Sequence, residues 1–239
     1  MEFCVIIPTY NNPGTLRDVV ERTLEQCSDV IVVDDGSSVP AASLLQGVPV
    51  EVIPHSRNLG KGAALRTGFE RARSEGYTHC VTIDADSQHF PEDIPVLCSL
   101  SREHPEAFII GSRSLAADNM PRGNTFANRF SNFWFRLQTG GSLPDTQSGF
   151  RVYPLHRIYG LRHITARYEA ELELLVYAAW HGVELIPADI RVCYPEDRVS
   201  HFRPFADFMR ISALNTALCF GALFYGLPLA AYRKMKKNG

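Results

Sequence analysis

Residues 82–89 read Thr82-Ile83-Asp84-Ala85-Asp86-Ser87-Gln88-His89, directly after Cys80-Val81 and just before Phe90-Pro91-Glu92-Asp93. A short apolar run of this kind predicts a buried strand, and this one ends in two carboxylates separated by one small residue. Two acids so close repel each other, so a positive group is expected between them. If the strand continues, Asp84 and Asp86 share a face; if it turns, both still lie at its lip. Oxygen-only ligands suit a hard divalent ion, Mg2+ or Mn2+, and the amide oxygen of Gln88 can add a third. Mg2+ keeps several waters and completes its shell with substrate phosphates. Two side-chain ligands facing an open hemisphere therefore point to a nucleoside diphosphate.

Apolar runs and helical patterns alternate on either side of this stretch. Residues 3–8 predict a strand, about 14–26 a helix with Leu16, Val20, Leu24 and Cys27 on one stripe, and 29–34 a second apolar run ending in acid. A third strand is expected at 50–53, and then a helix over about 60–74 facing inward through Ala64, Leu65, Phe69 and Ala72. The fourth strand is 79–84, Pro91 with Glu92 and Asp93 marks a helix start, and 108–111 is a fifth strand. Strands apolar throughout and alternating with helices imply a parallel sheet covered on both faces. Such sheets bind ligands at the carboxyl ends of their strands, and three of those ends carry "PTYNN", "DDGSS" and "DADSQH".

After Pro121 the alternation gives way to a helix over 126–135 rich in aromatics, a glycine-rich joint at 140–142, and "DTQSGFRVY". The aromatic helix is expected to pack in the core. A helix at about 168–181 and a strand at 184–190 follow. With no repeat and no low-complexity linker, residues 1–204 are expected to form one domain.

Several residues in these segments suit anion chemistry. "NLGKGAALRTG" (58–68) sets Lys61 between two glycines at a helix start, where the glycines admit close backbone approach and the lysine favours anions. It is not a Walker A loop, which needs a glycine where His55 stands and a serine or threonine where Gly62 stands. No G-x-G-x-x-G follows the first strand, which argues against a dinucleotide cofactor. Of Asp34 and Asp35, one can accept from a ribose hydroxyl or a base N–H while the other caps the turn. Asp145 is the candidate general base if the acceptor is a hydroxyl, against a plain turn role after Pro144. Glu171 and Glu173, two apart on a helix, do not share a face. His89 and the remaining histidines show no ligand spacing.

The chain has 239 residues and a net charge of −2, so it offers no basic field for nucleic acid. Six scattered cysteines without a C-x-x-C pair predict reduced cytosolic thiols, not zinc or a disulfide framework. A strand almost at the N-terminus speaks against a signal peptide. From Ile211 to Tyr232 no charge occurs, and Arg233-Lys234-Met235-Lys236-Lys237 follows. About 20 apolar residues can span a bilayer as a helix. Basic flanks on both sides, with Arg203 and Arg210 before the stretch, better fit a helix lying in the interface. A dip that returns at Gly226-Leu227-Pro228 fits them equally. Residues 205–239 are thus expected to be a membrane-associating tail.

Together, "IIPTYNN", "VVDDGSS", "NLGKGAALRTG", "IDADSQHFPEDI", "GSR" and "DTQSGFRVY" resemble a family 2 glycosyltransferase. The fold implied is GT-A: α/β, Rossmann-like, a mostly parallel sheet flanked by helices, here with a C-terminal apolar helical segment. The chain is most similar to dolichyl-phosphate mannose synthase and related polyprenyl-phosphate glycosyltransferases, over about residues 3–201. The resemblance implies that Pro8, Tyr10, Asn12 and Asp35 hold the base and ribose of a UDP- or GDP-linked sugar, with Lys61 in the same site. It implies that Asp84, Ala85 and Asp86 surround the diphosphate, with Asp84, Asp86 and Gln88 as metal ligands. Arg113 would reach a phosphate. Asn12 stands where the family has an acid, and "DRVSHF" matches the family's later arginine and serine–lysine pair only with compressed spacing. Arg113, Arg151, Arg198, Ser200 and His201 are the residues expected near an acceptor phosphate, and Glu173 is similar to a family position near the acceptor.

These expectations add up to an inverting, metal-dependent transferase at the cytoplasmic face of a membrane, with Asp86, Arg113 and Asp145 as its catalytic candidates. A lipid phosphate acceptor is already ionised and needs no strong base; a hydroxyl on a glycolipid or envelope glycan needs one.

Overall fold

The computed structural model describes residues 1–113, 122–159, 165–193 and 204–238. Seven strands form one sheet: β1 (Phe3–Thr9), β2 (Val30–Asp34), β3 (Glu51–Pro54), β4 (His79–Thr82), β5 (Phe108–Arg113), β6 (Arg151–Pro154) and β7 (Leu185–Ile190). Their spatial order is β3-β2-β1-β4-β6-β5-β7. All pairings are parallel except those of β6, which runs antiparallel to both β4 and β5. The helices are α1 (Leu16–Leu24), α2 (Ala41–Leu44), α3 (Lys61–Ser74), α4 (Ile94–Glu103), α5 (Arg122–Thr139), α6 (Leu155–Ile158), α7 (Glu169–Trp180), α8 (Pro204–Gly221) and α9 (Leu227–Asn238).

Both faces of the sheet are covered, which is why its central strands are apolar at every position. Cys4 and Ile6 of β1 point into a core shared with Ala64, Leu65 and Phe69 of α3 and with α7. Val5 and Ile7 point the other way, onto Leu16, Val19 and Val20 of α1 and Ile94 and Leu97 of α4.

The chain builds β1, β2 and β3 toward one edge and then places β4 on the opposite side of β1. Strand order therefore reverses between β1 and β4, where open α/β sheets bind their ligands. β4 keeps register with β1 only to the Ile6–Thr82 pair, followed by one bond from Ile83 N–H to the Ile6 carbonyl at 3.2 Å. Beyond that point the strands part. Pro8, in register with Val33 of β2, lies past the end of β4, so its missing N–H costs no ladder bond on that side.

The structure departs from the sequence-based expectations at defined points. The fourth strand stops at Thr82 instead of reaching Asp84, because the chain turns out of the sheet and Ser87 takes a φ of 59°. β6, the antiparallel strand, was not anticipated. Helix α5 extends beyond 126–135 on both sides, and it buries Phe135 while leaving Phe133 exposed. At Gly226-Leu227-Pro228 the chain does not reverse. A π-helical turn (Ala222–Gly226) carries α8 directly into α9, and Pro228 falls in the first turn of α9, where a missing N–H is tolerated. Leu214, Leu218 and Ala222 of this tail belong to the core around α7. Met209–Arg233 is long and apolar enough to cross a membrane, by length and composition.

Arg151 overturns an expectation about the site. It is wholly buried, and its guanidinium donates to the carbonyls of Ser148 (2.7 Å), Glu171 (3.0 Å) and Thr146 (3.0 Å) and to the Tyr153 hydroxyl (3.2 Å). Wholly buried and with most of its N–H donors bound to the chain, it holds the 145–151 loop to α7 and is not exposed to an acceptor phosphate. Arg151→Met removes all of these hydrogen bonds at once from a buried position. It should cost about 3 kcal/mol, read as a fall of about 10 °C in Tm by thermal unfolding.

Candidate active site

Four chain segments converge where β1 and β4 part. After β1, the Asn11 N–H donates to Ser37 Oγ at 2.9 Å and the Ser38 N–H to Asn11 Oδ1 at 2.8 Å, which ties the β1 loop to the β2 loop. Asn11 sits in the left-handed region at φ 53°, a conformation asparagine accepts more readily than most residues. Asn12 turns its amide oxygen back to the Tyr10 N–H at 3.3 Å. The Thr15 hydroxyl donates to the Ala85 carbonyl at 2.5 Å, joining the β1 loop to the acidic turn. Pro8, Tyr10, Asn12 and Ala85, named from sequence, thus lie on one seam.

The two acids after β2 divide as the sequence allowed. Asp34 caps the turn, accepting from the N–H groups of Ser37 (2.9 Å) and Ala41 (2.8 Å). Asp35 is also buried and accepts from the N–H groups of Leu59 (2.9 Å) and Gly60 (2.7 Å) and from His55 Nδ1 (2.8 Å). A carboxylate has about four acceptor positions, so one remains for a ligand. His55 Nε2 in turn lies 3.0 Å from Thr67 Oγ1 on α3. The imidazole therefore couples Asp35 to the helix that carries Lys61, a role its spacing in sequence did not disclose.

A positive group does stand beside the first of the two acids, Asp84: it is Lys61. Its ammonium lies 2.6 Å from Asp84 Oδ1 and 2.7 Å from Glu171 Oε2, bridging the end of β4 to α7. Burial works against the Lys61 charge, yet the two carboxylates outweigh it and hold the ammonium protonated far above its ordinary range. Burial likewise opposes charge on Asp84, but Lys61 prevails and keeps that carboxyl below the usual 3.8. A Cβ on Gly149 would come 2.5 Å from Asp84 Oδ2 and 2.7 Å from Lys61 Nζ, so only glycine lets the 145–151 loop lie against this pair. Gly60, at φ 103°, and Gly62 do not open toward a ligand as expected. Their missing side chains would strike the Ala166 carbonyl at 2.5 Å and Ala170 Cβ at 2.4 Å, so these glycines seat the start of α3 against the α7 region.

Asp86 and Gln88 lie in the turn beyond. Gln88 Nε2 donates to Asp86 Oδ2 at 2.6 Å and the Gln88 N–H to Asp86 Oδ1 at 3.1 Å. Burial drops the neighbouring His89 to about 4, so its ring is neutral at neutral pH, and its Nδ1 is buried with no partner among the described residues. Two carboxylates and one amide offer a hard oxygen set of the kind Mg2+ or Mn2+ accepts. Among the described residues no three His, Cys, Asp or Glu side chains are grouped so as to hold a metal ion by themselves, so a cation here would draw its remaining ligands from substrate and water. The donor set fits the ion.

Arg113 ends β5 and forms a two-pronged pair with Asp145, through Nε to Oδ2 and through Nη2 to Oδ1 at 2.9 Å. Asp145 is fully buried and also accepts from the N–H groups of Gln147 (2.9 Å) and Ser148 (3.2 Å). Burial alone would raise its pKa, but the Arg113 bonds more than compensate and hold it below the usual 3.8. A carboxylate so saturated is a poor proton acceptor, which corrects its assignment as a general base. Glu173 accepts from the Thr165 N–H (2.9 Å) and hydroxyl (2.5 Å), while Glu171, given no site role from the sequence, reaches Lys61. Arg198, Ser200 and His201 lie outside the described residues.

A mostly parallel sheet with polar loops gathered at its switch point is the architecture of the GT-A fold. The chain resembles the solved glucosyl-3-phosphoglycerate synthase of Mycobacterium tuberculosis in complex with Mn2+, UDP-glucose and phosphoglyceric acid, at a TM-score of 0.66. That likeness covers 92% of this chain and 79% of the other at 17% identity, and is one of fold. The chain belongs to glycosyl transferase family 2, whose family model matches residues 4–155. It is 31% identical over 176 residues to the undecaprenyl-phosphate 4-deoxy-4-formamido-L-arabinose transferase of Yersinia enterocolitica, covering 68% of this chain and 52% of that one. It is 28% identical over 215 residues to the UDP-N-acetylglucosamine–dolichyl-phosphate N-acetylglucosaminyltransferase of Methanococcus voltae, covering 80% of this chain and 86% of the other. The chain thus spans about half the length of the undecaprenyl-phosphate transferase it matches.

Lys61→Met removes the cation between Asp84 and Glu171. Asp84 stabilises the fold fully above about pH 3.8 and loses that contribution as pH falls through its lowered value. The variant should therefore be less stable by about 3 kcal/mol at neutral pH. That deficit should shrink as pH falls and Asp84 takes up its proton, read as converging Tm values of variant and parent in an acid series followed by circular dichroism.

Proposed function

We propose that this chain is an inverting, divalent-metal-dependent glycosyltransferase that moves a sugar from a UDP- or GDP-linked donor to a lipid-linked acceptor, polyprenyl phosphate. The observation that carries the reading is the Lys61-anchored acidic turn at the β1–β4 switch point. The relatives named for undecaprenyl and dolichyl phosphate supply the acceptor class.

The charge balance of the site supports a metal requirement. Asp84 and Glu171 outnumber Lys61, and Asp86 adds a further negative charge beside them. Arg113 is matched by Asp145. A doubly charged diphosphate entering this field alone is repelled. Asp84, Asp86 and Gln88 would hold Mg2+ or Mn2+, which when bound neutralises the departing diphosphate. The chain's own part is positional. Lys61 holds Asp84 in place, Asp145 fixes the direction of the Arg113 guanidinium, and the seam of Pro8, Tyr10 and Asn12 cradles the nucleoside. In the reaction, an acceptor phosphate oxygen forms a bond to the anomeric carbon from the face opposite the leaving group. The bond from that carbon to the diphosphate breaks, and the configuration inverts. No proton has to move.

The alternative acceptor, a hydroxyl of a glycolipid or envelope glycan, needs a base. Asp145, the residue first suited to that task, is locked to Arg113, and this favours the phosphate acceptor. We place the enzyme at the cytoplasmic surface of a membrane, with a reach set by its apolar tail.

The test is a panel of UDP- and GDP-sugars assayed against polyprenyl phosphate, with the lipid product identified by mass. Transfer should vanish on chelation, return with Mg2+ or Mn2+, and fall by on the order of 1,000-fold in Asp86→Ala. Transfer undiminished in the chelated enzyme would refute the metal-dependent reading.

A further inference from the structure

The tail has a geometry that its composition does not reveal. Leu214, Leu218, Ala222 and Gly226 are buried, spaced by four residues each, and form one stripe against the domain. An α-helix turns 3.6 residues at a time, so a strict spacing of four drifts off a fixed face. The π turn at Ala222–Gly226, wider than an α turn, holds Ala222 and Gly226 in phase. The object they must face is Trp180, at the end of α7. A Cβ on Gly221 would lie 2.9 Å from that indole and one on Gly226 only 2.4 Å, so both glycines are required for the helix to seat there. Trp180 is itself fixed, its Nε1 donating to the Gln138 carbonyl at 2.8 Å. Gln138 also donates to Asn215 Oδ1 at 3.0 Å, and Arg233 Nη1 reaches the Trp180 carbonyl at 3.4 Å.

The opposite face of the same helix is apolar and exposed. Phe220, Leu223, Phe224 and Leu227 recur at helical spacing, and Phe224 is 75% accessible. Adjoining α5 exposes Phe133 and Leu137 as well. Charge is distributed in the same sense. From residue 208 to 239 the chain has five basic side chains and no acid, leaving 19 basic against 26 acidic for the rest, a net of −7. The tail is a cationic, apolar edge on an otherwise acidic protein.

We propose that this helix binds an anionic bilayer side-on, in the plane of the membrane, through the Phe220–Leu223–Phe224–Leu227 stripe, and does not cross it. A crossing helix needs lipid or other membrane helices around it, but this one is fastened lengthwise to a charged domain, which would have to enter hydrocarbon with it. Apolar side chains on the outward face with arginine and lysine beyond them are what an interfacial helix needs. The proposal deepens the lipid-acceptor reading, but its test uses neither donor nor acceptor and so fails or succeeds independently of transfer.

Full-length protein is sedimented with vesicles of phosphatidylcholine alone or mixed with phosphatidylglycerol, at low and high salt, and bound protein is then washed in alkaline carbonate. Binding should need the anionic lipid, weaken with salt, and be released by carbonate. Phe224→Glu and Leu223→Glu should each lower vesicle affinity on the order of tenfold with unchanged Tm, while Val96→Glu on the exposed side of α4 should leave affinity unaltered. Carbonate-resistant protein with a protease-protected tail would mean a crossing and overturn the proposal. So would a Phe224→Glu protein that splits a dimer yet binds vesicles normally, which would assign the stripe to a second copy of the chain.

Discussion

One buried ammonium organises this molecule. Lys61 is reached from β4 through Asp84 and from α7 through Glu171, and it sits on the first residue of α3. A lysine removed from water keeps its charge only if its partners repay the lost hydration, and two carboxylates at hydrogen-bond distance do so. The arrangement restrains three elements at once. It also fixes where Asp84 lies once β4 has ended, and thereby sets the course of the turn through Asp86 and Gln88. The loop carrying Gly149 must then be bare of side chain at that point, because a methyl group would displace the ion pair.

Around that pair the site is rigid through side-chain-to-backbone bonds. Asp34 and Asp35, both buried, satisfy N–H groups of the β2 and β3 loops, and Asn11 does the same across the β1–β2 seam. Loops cannot satisfy these groups with secondary structure, so short polar side chains take the task. The contact from Asp35 through His55 to Thr67 carries this stiffness into α3. A ligand entering between β1 and β4 would therefore meet preformed walls, which limits the ordering entropy lost on binding.

How much of this the sequence disclosed depends on the range of each interaction. The alternating elements, the three polar strand ends and the acidic turn were legible because each is a local pattern. Lys61 was legible as a cation at a helix start, but its partners were not, since Glu171 lies 110 positions away and only the packing of α7 on α3 brings it near. Periodicity showed that Glu171 and Glu173 face differently, yet could not say which faces the site. Asp145 and Arg113 each read as functional in isolation; their mutual pairing, across 32 positions, turns an expected base into a fixed counter-ion. Arg151 failed for the same reason, because burial among carbonyls is a property of the folded β6 and not of "GFRVY". The antiparallel course of β6 was hidden too, since its four residues carry no periodic signal of direction.

α7 joins the two halves of the functional argument. Near its start Glu171 holds Lys61, and at its end Trp180 seats the tail helix between Gly221 and Gly226. Nine residues of helix separate the two, about 14 Å at 1.5 Å per residue. A rod of that length, buried along nearly every face, transmits position without bending. The height of the proposed membrane-facing stripe relative to the acidic turn is therefore set by a packed helix and not by a flexible linker. A lipid-borne phosphate has its charged head at the bilayer surface and its chain below. On the proposed reading, its reactive oxygen would rise to the turn by an amount that α7 determines. The helix that holds Lys61 through Glu171 would thus also fix how far from the membrane the proposed site stands.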